Sequence, residues 1–438
     1  MPNLPPMWGV TAYREGDSCN TGTKLIEKIG ICQPEPPASI GQPCPNQAPD
    51  SIRQPDGSCR PLISSPTQKG EPTPLACAGN PIDLSTGNKY QPETDLSLPD
   101  FDFKRFYNSI DGDWSNSFST NIQVEGRLII LTLDNGQERY FTHQENDSIS
   151  ANQFSAGSLS RNASGWIYRS ENKKSYRYDD QGRLSSIEDP KYKKLLINYS
   201  GNELSVHDDQ SQLLKLTFVH QKIKTAQNES TLITYTYDED LRLIKTTKVE
   251  RGIALERQYH YEDARNPNLL TGITDERGIR YATWAYDDQG RAISSEHAGG
   301  AERTLVSYNA DGSSTVTNAL GKRTTYRFQT IQGVRRITAI EGEPSANCPN
   351  SNSTFTYDDR GLVKTRTDNK GNVTTFDYND RGLEVSRTEA FGTPQARTVT
   401  TEWHPTLFLP TTITEPDRTS RYSYDVQGRL IEQATTQR

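Results

Sequence analysis

One short phrase recurs through the second half of the chain and constrains what it can fold into. Tyr357-Asp358-Asp359-Arg360-Gly361-Leu362 returns 21 residues later as Tyr378-Asn379-Asp380-Arg381-Gly382-Leu383. Close copies stand at Tyr178-Asp179-Asp180-Gln181-Gly182-Arg183-Leu184, Tyr286-Asp287-Asp288-Gln289-Gly290-Arg291-Ala292 and Tyr424-Asp425-Val426-Gln427-Gly428-Arg429-Leu430. The aromatics that close these strand-like runs are Tyr178, Tyr199, Phe218, Tyr237, Tyr261, Tyr286, Tyr308, Phe328, Tyr357, Tyr378, Trp403 and Tyr424. Their mean spacing is about 22 residues, the range of a stacked repeat architecture. Phe218 and Trp403 lack the acidic turn that follows the others.

Each copy has a physical reading. A strand ends at the aromatic, and Asp or Asn opens a type I turn with its side chain on a backbone N–H two residues on. Glycine follows three positions later, where the chain turns left-handed, as in hairpins closed by a glycine bulge. Second turns of the same kind, Asp275-Glu276-Arg277-Gly278, Asn318-Ala319-Leu320-Gly321 and Asp368-Asn369-Lys370-Gly371, close the other end. Helix-period patterns are absent. The expected fold is therefore all-β, an antiparallel ribbon over 165–438 with on the order of two dozen strands of ordinary length.

Composition fits a thin sheet better than a thick core. Only 32% of residues are hydrophobic, yet 21 tyrosines and 12 phenylalanines argue against disorder. The net charge of −7 provides no basic stripe for a nucleic acid, and no apolar run approaches the roughly 18 residues of a membrane span.

Residues 1–76 read as a leader or linker. Twelve of the 25 prolines lie between Pro34 and Pro81. Cys19, Cys32, Cys44, Cys59 and Cys77 fall in the first 77 residues, with Cys348 far away. Their spacings contain no C-x-x-C metal or redox motif. They are candidate disulfide cysteines, implying an oxidising compartment, with unpaired thiols the competing reading. Residues 77–164 read as a separate β module. There Phe101 and Phe103 share a face, and strands 127–133 and 137–142 flank an Asp134-Asn135-Gly136 turn.

The acid pairs Asp179-Asp180, Asp287-Asp288 and Asp358-Asp359 resemble catalytic carboxylates. An active site is needed once, however, and these recur in each repeat and exchange with asparagine, as at Asn309 and Asn379. They read as turn acceptors. Asp111-Gly112-Asp113-Trp114-Ser115-Asn116-Ser117 lacks the glycine and glutamate of a calcium loop and reads as a simple turn. The six histidines make no ligand pair, and no nucleotide or nucleophile motif is present. No enzyme activity and no cofactor are expected. Rows of tyrosine leave one binding reading, stacking on sugars or a partner, against the alternative of cross-strand packing.

The phrases quoted above resemble the YD repeats of the Rhs family, shared with insecticidal-toxin C components and teneurins. The segment "CAGNPIDLSTGNKYQPETDLSLPDFDFKRFYNS" resembles the module that precedes such repeats. The resemblance covers roughly residues 77 to 438. It implies a ribbon spiralling into a partial or complete hollow shell over 165–438. It further implies a non-catalytic scaffold that encloses or presents a toxin or effector domain, or meets a delivery-machine component, in a secreted or cell-surface bacterial system. The alternative it implies is a surface adhesion or carbohydrate-binding protein contacting a glycan or receptor. The single Asp-Pro, Asp189-Pro190, is followed by Lys191-Tyr192-Lys193-Lys194 rather than the family's self-cleavage context, so no cleavage residue carries over.

Overall fold

The structure, a computed structural model, describes residues 68–438 apart from 74, 145–147, 152–156, 172, 190–193, 343–351 and 426–427. It also describes the backbone of two short hairpins, Thr23–Ile26 with Ile31–Pro34 and Ser51–Arg53 with Cys59–Pro61. The chain divides into two compact units, Met1–Ser64 with Glu125–Leu128, and Ser65–Val124 with Ile129–Arg438.

The second unit is all-β, as the repeat predicts. Among the described residues, 26 strands from Ser158–Asn162 to Leu430–Gln437 form one antiparallel sheet in strict sequence order. Strands adjacent in sequence are adjacent in the sheet, so local turns suffice to specify the topology. Side chains alternate across it. In Thr231–Tyr237, Thr231, Ile233 and Tyr235 are buried while Leu232, Thr234 and Thr236 are exposed. One face is therefore a core face and the other a solvent face, which is how a lean composition supports so many strands.

Ahead of this sheet, Tyr90–Ser97, Asp102–Asn108 and Asp113–Asn116 form a three-stranded antiparallel module. Phe101 and Phe103 both pack on Phe118, edge-on at 5.8 Å and stacked at 6.0 Å. The predicted hairpin runs Leu128–Thr132 and Glu138–His143. Its turn is closed by the Gly136 N–H donating to the Leu133 carbonyl at 3.0 Å. The stretch after Asp111 differs from expectation. Only its start is a turn, where Gly112 N–H donates to Asn108 O, because Asp113–Asn116 is a strand paired with Asp102–Asn108.

The repeat aromatics also diversify beyond the sequence reading. Tyr199 and Phe328 precede two-residue loops, Gly201-Asn202 and Gln332-Gly333, rather than acidic turns, and Phe218, read as lacking the acidic turn, precedes His220-Gln221. His220 and Gln221 both have positive φ, 48° and 63°, the geometry whose twist matches a tight hairpin.

Two substitutions separate backbone strain from close approach. Gly182 and Gly290 share the left-handed conformation, with φ of 78° and 75°. A Cβ at Gly182 would lie 1.9 Å from the Ile122 carbonyl oxygen, whereas one at Gly290 meets nothing within 4 Å. Gly290→Ala should cost about 1 kcal/mol, and Gly182→Ala at least about 2 kcal/mol more, by urea denaturation. Equal costs would contradict the packing. Leu241 occupies the glycine position of its turn with φ of 61°, its N–H donating to Asp238 O. Leu241→Gly should therefore stabilise the chain by about 1 kcal/mol, read as a raised denaturation midpoint.

Candidate functional site

The structure places the repeat residues in one recurring turn. Asp358 Oδ1 accepts the N–H groups of Arg360 at 3.0 Å and Leu362 at 2.9 Å, and Oδ2 accepts Arg360 Nε–H at 2.9 Å. Gly361 N–H donates to Asp358 O, with φ of 78°. Asp179, Asp287 and Asp425 each accept the N–H four residues on and Nε–H of the arginine there. Gly182, Gly290 and Gly428 follow at positive φ. Asn379 accepts the N–H groups of Arg381 and Leu383, both at 3.0 Å, without a charge, and Gly382 has φ of 74°. The second acids Asp180, Asp288 and Asp359 are exposed. The acid pairs never converge on one place.

Most of the aromatics sit at β-bulges, with register shifts immediately before Tyr178, Tyr286, Tyr357, Tyr378, Trp403 and Tyr424, though not at Tyr199 or Tyr308. Their polar ends make a bond that sequence reasoning missed. Tyr308 Oη–H donates to Ala292 O at 2.7 Å, Tyr378 to Val363 O at 2.9 Å and Tyr424 to Pro410 O at 2.8 Å. Trp403 Nε1–H does the same to Glu384 O at 2.8 Å. In each case the carbonyl belongs to the residue opposite the preceding repeat's aromatic, namely Tyr286, Tyr357, Trp403 and Tyr378 respectively. That residue starts a return strand, and the register with the following strand begins only two residues later. Each aromatic thus caps a carbonyl that the ladder leaves over. Tyr237, Tyr286 and Tyr357 donate likewise to the carbonyls of Ile223, Leu270 and Ile337, while Tyr178 pairs with the Thr120 hydroxyl at 2.8 Å. Burial pushes the Tyr286 phenol up, keeping it a donor. Spent in this way, the repeat tyrosines do not form a solvent-facing stacking row.

The module before the sheet seals part of the core face. Arg105 is 2% exposed and grips Asp95 through Nε at 2.6 Å and Nη2 at 2.9 Å. Its guanidinium also donates to Tyr259 Oη at 2.8 Å and lies 4.7 Å from the Trp114 ring. Tyr235 Oη–H donates to Asp95 at 2.6 Å, Arg257 pairs with Glu93, and Lys89 Nζ sits 4.3 Å from the Trp284 ring. Farther along, Ser314 Oγ–H donates to Leu84 O at 2.7 Å and Arg335 Nη1–H to Ser85 O at 2.5 Å. Lys89, Gln91, Glu93 and Asp95 alternate at period two. That signal exists in the sequence, but charged alternation ordinarily marks a wet face, and its partners on the repeat sheet, Tyr235, Arg257 and Trp284, lie more than a hundred residues away.

Beyond Phe355 the same face changes character. Register carries it from Phe355 to Arg366, from Phe376 to Arg387 and Val399, and from Thr401 to Ile413 and Ser420. A cavity of about 490 Å³ lies on it, lined by Arg387, Arg397, Arg418, Glu384 and Glu415 among others. Arg397 Nη2 meets Glu415 at 2.5 Å, Arg418 pairs with the same carboxylate, and Arg387 meets Glu384 at 3.2 Å. Burial pushes the Glu384 carboxyl up. No group of three or more His, Cys, Asp or Glu is placed to hold a metal ion among the described residues. No helix among them is long and apolar enough to cross a membrane. The cysteine pairing lies outside the described residues; of the six, only the backbones of Cys32, Cys59 and Cys77 fall within them.

Three variants test these assignments. Asp358→Asn should retain most of the turn, because Asn379 already shows the amide accepting both N–H groups, whereas Asp358→Ala should cost about 1 kcal/mol. The Asp358 carboxyl is held below the ordinary range, its burial outweighed by bonds from Leu362 N–H and Arg360. Its contribution is present above the unfolded carboxylate value and lost as pH falls through the depressed one. The wild-type chain should therefore lose part of its advantage over both the Ala and the Asn variants in acid relative to neutral pH, by denaturation at both. Arg105→Ala strands Asp95 in the interior and should cost about 3–5 kcal/mol.

Comparison with known proteins gives two family matches. Residues 79–141 match a domain of unknown function, DUF6531, and residues 357–394 match the RHS repeat. No curated protein matches the chain. Among solved structures, a TcdB2-TccC3-Cdc42 crystal structure is similar at 10% identity and TM-score 0.42, covering 87% of this chain and 22% of that one. TcdB2-TccC3 without its hypervariable C-terminal region is similar at 11% identity and TM-score 0.43, with the same coverages. A Photorhabdus luminescens Tc holotoxin pore is similar at 13% identity and TM-score 0.37, covering 77% and 19%. This chain thus spans about a fifth of those chains' length. Residues 357–394 thus carry a recognised RHS repeat, with copies of its turn on either side and the DUF6531 domain ahead of it.

Proposed function

We propose that this chain is a non-catalytic scaffold whose sheet houses a guest polypeptide on its core face, in a secreted or surface-displayed bacterial system. One observation carries the reading. The core face is apolar and buried where the module covers it, at Ile273, Trp284, Val306 and Tyr326. Beyond Phe355 it is more open and studded with charge, Arg366, Arg387, Arg397 and Arg418 standing among Phe376, Val399 and Ile413. An apolar wall needs a permanent cover, whereas a charged, wet wall can hold a polypeptide without fusing with its hydrophobic residues. The guest in this reading is a toxin or effector segment, or a component of the machinery that delivers it. The carbohydrate-binding alternative rested on tyrosine rows, and Tyr237, Tyr286, Tyr308, Tyr357, Tyr378 and Tyr424 are committed to main-chain carbonyls.

Photo-crosslinking in the source cells tests this by register. A photoreactive residue at 387 faces the open wall, while one at 388, beside the Thr398 hydroxyl at 2.9 Å, faces solvent. The scaffold reading predicts a discrete polypeptide adduct from position 387 and none from 388. Adducts of equal yield from both, or none from 387, would defeat it.

A further inference from the structure

A second cavity, of about 640 Å³, lies between the module and the first strands of the repeat sheet. It is a plausible ligand volume on size alone, and its walls have a definite chemistry. Phe101, Phe118 and Tyr176 line it, together with Tyr90, whose ring lies parallel to that of Phe106 at 6.2 Å. Carboxylates outnumber cations. Lys104 is taken by Asp102 at 3.2 Å and Lys174 by Asp189 at 3.1 Å. Glu71, Asp100 and Asp134 also line the cavity, and no cation pairs with them among the described residues.

The second observation is Tyr90. The residue is 3% exposed and lines the cavity, yet no described residue hydrogen-bonds its hydroxyl. Burial, then the charges of Glu71 and Asp134, push its phenol up, so this oxygen sits in a surplus of negative charge. Burial and then Asp134 act the same way on Tyr176. An orphaned polar group, unpaired carboxylates and aromatic faces are together the recognition chemistry of an organic cation.

We propose that this cavity binds an alkylammonium group, with its N–H donors on Asp134, Glu71 and the Tyr90 hydroxyl and its methylenes against the aromatic rings. The group has two sources, a free polyamine or a lysine side chain of a peptide. Isothermal titration calorimetry of the full chain at low ionic strength, with spermidine and with N-acetyl-lysine methylamide, distinguishes them. Saturable binding of the first supports the free amine, and of the second alone the side chain. Asp134→Asn should weaken binding roughly tenfold or more, the worth of a charge-assisted hydrogen bond, and Tyr90→Phe several-fold. Glu229→Gln, an exposed turn acid outside the cavity, should leave binding unchanged. If Asp134→Asn melts early, Glu71→Gln at an exposed position replaces it with the same readout. The proposal is overturned if neither amine binds saturably, or if Glu229→Gln weakens binding as much as the cavity variants do.

Discussion

The structure depends on a bond from an aromatic side chain to a main-chain carbonyl one repeat earlier. Bulges at Tyr286, Tyr357, Tyr378 and Trp403 bend the ladder, and the first carbonyl of each return strand is left without a partner from the next strand. Tyr308, Tyr378 and Tyr424 supply that partner from their hydroxyls, and Trp403 supplies it from its indole N–H. A buried carbonyl left unpaired costs more than the net gain of an ordinary hydrogen bond. The repeat therefore needs a side chain with a large apolar body and a donor at its tip, and only Tyr and Trp combine these. This is why the phrase begins with tyrosine.

The acids beside the tyrosine have an equally local purpose. Asp358 and Asn379 hold their turns through the same pair of N–H groups. Where the residue is Asp, a turn arginine also pairs with it, as Arg360 does with Asp358. Arginines then reach onward. Arg183 and Arg291 lie over the rings of Tyr199 and Tyr308, and Arg381 lies over Phe408. Aromatic, acid, glycine and arginine together make each hairpin complete in itself and linked to the next, which is the nearest-neighbour logic of repeat folds.

Such local devices are legible in a sequence, and the turn spacing predicted a long antiparallel sheet. Two features were not legible. The module's grip on the sheet is polar, so Glu93, Asp95 and Arg105 carry the pattern of a wet surface although they are buried against Tyr235, Tyr259 and Arg257. The open wall is hidden for a related reason. Val363-Lys364-Thr365-Arg366-Thr367 is polar on both faces, so no period-two contrast tells which residues face the covered side. Register with Phe355, which depends on the bulge at Tyr357, decides it.

The carbonyl-capping bond can be tested by deleting one hydroxyl. Tyr308→Phe keeps the ring and removes only the donor to Ala292. Native-state hydrogen exchange should show the amides of the hairpins on either side of Ala292 losing about 1–2 kcal/mol of protection, with distant repeats unchanged. Unchanged exchange around Ala292, or an equal loss across the whole sheet, would contradict the account.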